Sequence, residues 1–169
     1  MALHTFVVLA YKESKYLEEC IESLEKQIVK SNIIMCTSTP NDYIKNMAQK
    51  YNIPLYINEG KSGIGQDWNF GVSKTTTDYV TVAHQDDIYN ENYLEEIIKE
   101  INKDKDFVIA FGNYEEIKNG KVIPLTNNLK IKKIWQKPLI KHGDKMWAKR
   151  FALRFGSAIC CPCVTVNTK

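Results

Sequence analysis

The chain has 169 residues, 44% of them hydrophobic and 25% charged, the proportions of a globular domain with enough apolar mass to bury a core. A formal net charge of +3 is too small to argue for nucleic acid as a partner, so none is expected. No apolar run approaches the roughly 20 residues that span a bilayer, residues 1–5 do not read as a signal peptide, and Cys20, Cys36, Cys160, Cys161 and Cys163 form no paired secretory framework. A reducing, cytoplasmic setting is expected.

Residues 6–10 are continuously apolar and rich in valine, which suits a strand covered on both faces in a parallel sheet. A helix follows, with Ser14 as its expected N-cap and Leu17, Cys20, Ile21, Leu24 and Ile28 at helical spacing opposite Glu18, Glu19, Glu22 and Glu25. Residues 33–36 read as a second strand, and Tyr43, Ile44, Met47, Ala48 and Tyr51 as the stripe of a second helix, ended by Pro54. Residues 55–57 make a third strand, 66–75 a helix and 79–83 a fourth strand. Tyr93, Leu94, Ile97, Ile98 and Ile101 mark a further helix capped near Asn90, and residues 107–111 a fifth strand.

Strands alternating with short helices predict an α/β fold with a doubly wound, mostly parallel sheet, because each parallel connection needs a crossover. Ligands of such sheets bind at the carboxyl ends of the strands. Past residue 112 the alternation weakens. Residues 114–117 and 121–123 flank Asn119-Gly120, a hairpin signal, a helix is expected near 144–155, and a last strand over 159–166. Lys130, Lys132, Lys133, Lys137, Lys141, Lys145, Lys149, Arg150 and Arg154 face only Asp144 as a counter-charge in their stretch, which suits an anionic acceptor or the inner face of a membrane; a solvated face covering a further part of the protein is the alternative. Cys160 and Cys163 have CxxC spacing but lack a second ligand pair, so a buried strand is expected there.

The sharpest feature is His84-Gln85-Asp86-Asp87, directly after the fourth strand. Adjacent carboxylates repel, and hard oxygen donors are what Mg2+ or Mn2+ needs when it also holds phosphates. A capped helix start is the competing explanation; position at a strand's carboxyl end favours a ligand. Tyr11 and Glu13 leave the first strand at the same edge, where a ring can pack on a base and a carboxylate can accept from a hydroxyl, although packing and helix-dipole roles serve equally well. Gly60-Lys61-Ser62 lacks the P-loop's leading glycine, since residue 55 is Leu, and Gly63-Ile64-Gly65 lacks the third glycine of a dinucleotide fingerprint, since residue 68 is Trp.

Residues 6–27, 63–71 and 77–94 resemble the corresponding segments of family-two glycosyltransferases of the GT-A type. The family's Pro-Val-Tyr-Asn-Glu is Leu9-Ala10-Tyr11-Lys12-Glu13 here, its Ala-Arg-Asn is Asp67-Trp68-Asn69, and its Asp-x-Asp-Asp is His84-Gln85-Asp86-Asp87. The resemblance implies a Rossmann-like fold, with residues 1–112 binding a nucleotide-sugar donor and 113–169 beginning an acceptor-side region that is incomplete. It implies a UDP-sugar bound by Ala10, Tyr11, Glu13, Thr37, Ser38, Asp67, Asn69, His84, Gln85 and Asp86, and an Mn2+ or Mg2+ cofactor on Asp86 with Asp87 near it. Hydroxyls of Thr37 and Ser38 stand where many relatives offer the base an Asp; an ST-turn and helix cap is the alternative for them. Inverting transfer to a glycan or lipid-linked acceptor is implied, in cell-surface polysaccharide or glycan synthesis, with the base expected beyond Lys169. The rival readings are a non-catalytic nucleotide-sugar-binding module, an inactive truncated homologue, and a nucleotidyltransferase, whose Gly-rich basic loop is missing at residues 11–13.

Overall fold

The computed structural model describes residues 3–61, 63–104, 107–154 and 156–169; Met1, Ala2, Ser62 and Phe155, which enter the expectations above, lie outside them. The chain forms two compact units, Met1–Ala110 with Val164–Lys169, and Phe111–Cys163.

In the first unit β1 (His4–Leu9), β2 (Asn32–Thr37), β3 (Leu55–Ile57) and β4 (Tyr79–His84) run parallel in the order β3-β2-β1-β4. The sheet continues through β8 (Val164–Asn167) to β5 (Ile109–Phe111), and β8 is antiparallel to β4, with Thr81 opposite Thr165. The mostly parallel α/β sheet is therefore as expected. The last strand is shorter and later than 159–166, because Cys161–Cys163 form a single 3-10 turn; the cysteine segment is not the buried strand its composition suggested.

The unbroken apolar run of β1 has a direct explanation. Phe6, Val8 and Ala10 face a core with Leu17 and Ile21 of α1 (Leu17–Glu25), Ile44 of α2 (Asp42–Lys50), and Leu94 and Ile97 of α4 (Tyr93–Lys103). Val7 belongs to the other face, with Ile34, Cys36 and Val80, against which Phe70 and Val72 of α3 (Ile64–Ser73) pack. Each face is sealed by helices, so residues 6–10 are apolar, and the polar His4 and Thr5 at the start of the strand are buried with side-chain hydrogen-bond partners. At Gly71 a Cβ would stand 2.5 Å from Val7 Cγ1, so α3 lies on the sheet as closely as backbone allows.

Two helix starts differ from expectation. Ser14 lies ahead of α1, whose N-cap position is Tyr16; Ser14 Oγ accepts the Tyr16 N–H at 3.3 Å. Asn90 accepts the Tyr93 N–H through its backbone carbonyl, and the Leu94 N–H donates instead to Gln27 Oε1 at 2.9 Å. Gln27, 1% exposed, also donates to the Ser23 and Asn90 carbonyls. It is this polar side chain that turns inward after α1, while Ile28, counted on the apolar stripe, is 57% exposed. Buried helix-end groups need partners more than the core needs another aliphatic.

The second unit holds the hairpin of β6 (Ile117–Lys118) and β7 (Lys121–Val122), with Asn119 at φ 52 and Gly120 at φ 71, the two left-handed positions of a type I′ turn. It also holds α5 (Asn127–Lys141), capped by Thr126 and containing Pro138, and α6 (Met146–Leu153). The sequence reading anticipated α6 but not α5, because the cations and Pro138 interrupt its apolar period. Among the described residues, no helix is long and apolar enough to cross a membrane.

Candidate functional site

The carboxyl ends of β1, β2, β3 and β4 form one edge. Leu9 is in register with Cys36 and His84, and Thr37 with Ile57. What leaves these strand ends is cross-tied. Gln85 grips the backbone of Tyr11 twice, accepting its N–H at 2.9 Å and donating to its carbonyl at 3.0 Å. The Lys12 N–H donates to Thr39 Oγ1 at 2.7 Å, and the Thr39 N–H to Thr37 Oγ1 at 3.0 Å. Lys12 itself has φ 54, a left-handed turn that costs a non-glycine residue about 1 kcal/mol or more unless its surroundings hold it. These ties hold it, and leave Tyr11 52% exposed at this edge.

Asp67, in the first turn of α3, is fixed by the ends of two strands. Ser38 Oγ donates to Oδ2 at 2.8 Å and Asn58 Nδ2 to Oδ1 at 2.7 Å. A carboxylate thus stands beside Ser38, at the end of β2, although β2 itself ends in hydroxyl residues. One residue on, the Trp68 ring meets the His84 imidazole edge to face, with centroids 5.4 Å apart at 72°.

Ligand atoms of His84, Asp86 and Asp87 lie within 4.8 Å of one another, a separation that side-chain rotation can close onto a single ion. Asp86 is exposed and Asp87 half-buried. Burial pushes the Asp87 carboxyl above its usual range and the Asp86 charge adds to this, while His84 opposes it. The His84 carbonyl accepts from Cys20 Sγ at 3.2 Å and from the Asp87 N–H at 3.1 Å, and the ring Nε2 is buried without a hydrogen-bond partner among the described residues. Two neighbouring carboxylates and an imidazole nitrogen within reach of both make a donor set that fits a divalent cation.

The structure brings Tyr11, Ser38, Asp67, His84, Gln85, Asp86 and Asp87 to this edge. Ala10 and Thr37 are 3% and 1% exposed; the Ala10 N–H donates to the Cys36 carbonyl, and Thr37 completes the turn with Thr39 that was the competing explanation for it. Asn41, not Thr37 or Ser38, caps α2, accepting the Ile44 N–H at 2.9 Å. Glu13 and Asn69 are exposed. Sequence reasoning missed Thr39, Asn58 and Trp68. Asn58 follows directly on β3, so the rule about strand carboxyl ends reaches it when applied to the third strand as well as the first and fourth.

The mostly parallel sheet of this order, covered by helices on both faces, has the architecture of the GT-A glycosyltransferase fold. Solved structures agree: TarS of S. aureus superposes with a TM-score of 0.61 at 20% identity over 72% of this chain and 38% of that one. Glucosyl-3-phosphoglycerate synthase from Mycobacterium tuberculosis, in complex with UDP, superposes at 0.64 with 11% identity over 98% of this chain and 57% of that one. The chain belongs to glycosyl transferase family 2, whose sequence profile matches residues 5–160. Glycosyltransferase GlyG of Streptococcus pneumoniae is 31% identical over 118 residues, which are 66% of this chain and 39% of that protein. The chain thus spans about two fifths of that relative's length.

Proposed function

We propose that this chain binds a nucleotide-sugar donor, UDP-linked, and forms the donor side of an inverting, metal-dependent glycosyltransferase acting in surface glycan or polysaccharide synthesis. The observation that carries this is the His84, Asp86 and Asp87 cluster at the carboxyl end of β4, one strand from the exposed Tyr11 ring. TarS has been solved in complex with UDP-GlcNAc, and a mannosyltransferase from Pyrobaculum calidifontis with GDP-Man and Mn2+; both support the reading.

Under it, Tyr11 packs on the base, and Asp67, held by Ser38 and Asn58, accepts from the nucleoside. Glu13 and Asn69 serve the same ligand from the exposed rim. Gln85 and Thr37 act one step back by holding the Tyr11–Lys12 turn. Asp86 is the principal ligand of Mn2+ or Mg2+, with Asp87 beside it, and the bound ion would neutralise charge on the departing nucleoside diphosphate. In transfer, an acceptor hydroxyl loses its proton to a carboxylate and attacks the anomeric carbon from the face opposite the leaving diphosphate. Lys130 to Arg154, with Trp147 56% exposed among them, are assigned to an anionic lipid-linked acceptor or a membrane surface at the cytoplasmic side.

Asp86→Asn tests the reading. Calorimetric titration with UDP-GlcNAc and Mn2+ is expected to lose its metal-dependent heat in the variant; unchanged binding refutes the assignment. Turnover by this chain would exclude the non-catalytic alternative.

A further inference from the structure

We infer that His84 is itself a ligand of the cation held by Asp86 and Asp87, and that its nitrogen makes the site prefer Mn2+ and other first-row transition ions over Mg2+. The inference rests on the donor-binding reading above and adds to it which atoms hold the ion and which ion they select.

The geometry points to it in three ways. An imidazole nitrogen falls within the same 4.8 Å cluster as the two carboxylates, so the ring is already where a third donor belongs. Its Nε2 is buried and has no hydrogen-bond partner among the described residues; buried side-chain nitrogens are almost always satisfied, so the ring keeps bonding capacity that the described residues do not use. Finally, the ring is held in place. Trp68 packs against it, and its carbonyl is fixed by Cys20 Sγ and the Asp87 N–H. Ligating side chains are characteristically oriented by such outer contacts.

The chemistry of the donor set then decides the ion. Mg2+ takes oxygen ligands and gives up its waters reluctantly, so two carboxylates and phosphate oxygens suit it and an imidazole does not. First-row transition ions accept nitrogen, with affinity rising from Mn2+ to Co2+. Where the family's motif carries a leading acid, position 84 offers an imidazole nitrogen instead of a carboxylate oxygen.

The test is pulsed electron paramagnetic resonance on the 169-residue chain with Mn2+ and UDP, comparing unlabelled protein with protein carrying 15N-histidine. Modulation from a directly bound nitrogen that changes with the label is expected in the unmutated chain, so the result does not depend on a variant folding. His84→Asn is expected to abolish that modulation and to lower Mn2+ affinity in the presence of UDP by at least about tenfold, the low end of what losing even a supporting residue costs. His84→Asp is expected to restore affinity for Mg2+ relative to Mn2+. Mn2+ bound in an Asp86-dependent manner without histidine modulation overturns the inference and leaves donor binding standing. If the modulation persists in His84→Asn, another histidine is the ligand and the inference also fails. Absence of any Asp86-dependent binding of Mn2+ and UDP overturns both readings together.

Discussion

Replacing Gly71 by alanine probes how the site depends on the sheet beneath it. The added Cβ would stand 2.5 Å from Val7 Cγ1 and 3.5 Å from Leu9 Cδ2. Carbon contacts settle near 3.5–4.0 Å, so roughly 1 Å must be found by moving α3 or turning Val7, which is 0% exposed in β1. Overpacking of this kind costs about 1–3 kcal/mol. For a chain of this size each kcal/mol shifts the midpoint by about 2–4 °C, so the melting temperature should fall by about 2–12 °C. The same shift lifts Asp67 away from Ser38 and Trp68 away from His84, so calorimetry should register weaker UDP binding in the variant at a temperature where it is fully folded. A melting temperature within about 1 °C of the parent would show that Val7 turns aside freely and refute the close-packing argument. A destabilised variant with undiminished UDP affinity would refute the link from α3 to the site.

Two further outcomes are expected. His4 is buried, with its ring nitrogens bonded to Ser31 Oγ and Thr81 Oγ1, and burial lowers its pKa to about 3. Its neutral form is thus required in the folded state, and the stability it contributes is present above the unfolded value of about 6.5 and is lost as pH falls toward 3. Denaturant titrations should show a loss of about 2 kcal/mol between pH 6.5 and 4.5, flattened in His4→Asn; equal slopes in the two proteins would refute it. Burial, with the charges of Asp87 and Asp86, pushes the Cys20 thiol up to about 12, and burial does the same for Cys36. Iodoacetamide at pH 8 should therefore alkylate exposed Cys161 while sparing both, as read by peptide mass spectrometry; modification of Cys20 at the rate of Cys161 would contradict the packing around His84.

The parallel sheet was legible because its signals are local. A strand sealed on both faces reads as an apolar run, and residues 6–10 do. Gln27 was not legible, since a polar residue at a helix end reads as solvated until the orphan N–H of Leu94, 67 residues away, is known to need it. In α5 the intervening lysines and Pro138 leave only Leu129 and Gln136 buried, too sparse a stripe to register as a period.

The same distinction governs the site. Asp86 and Asp87 announce themselves because two acids after an apolar strand are costly without a cation nearby, and that cost is visible in neighbouring letters. The supports of the site are contacts between distant segments: Gln85 to Tyr11 across 74 residues, Ser38 to Asp67 across 29. Hence Gln85, marked from sequence as a donor ligand, spends its amide on the chain's own backbone, and a carboxylate absent from the end of β2 is supplied beside Ser38 by Asp67 of α3. His84 follows this logic. In the sequence it is the loss of an acid; beside Trp68 and two carboxylates, with a nitrogen left unsatisfied, it is a change of donor atom. On the inference drawn above, a site altered in this way would keep its charge-binding role and change which ion it favours.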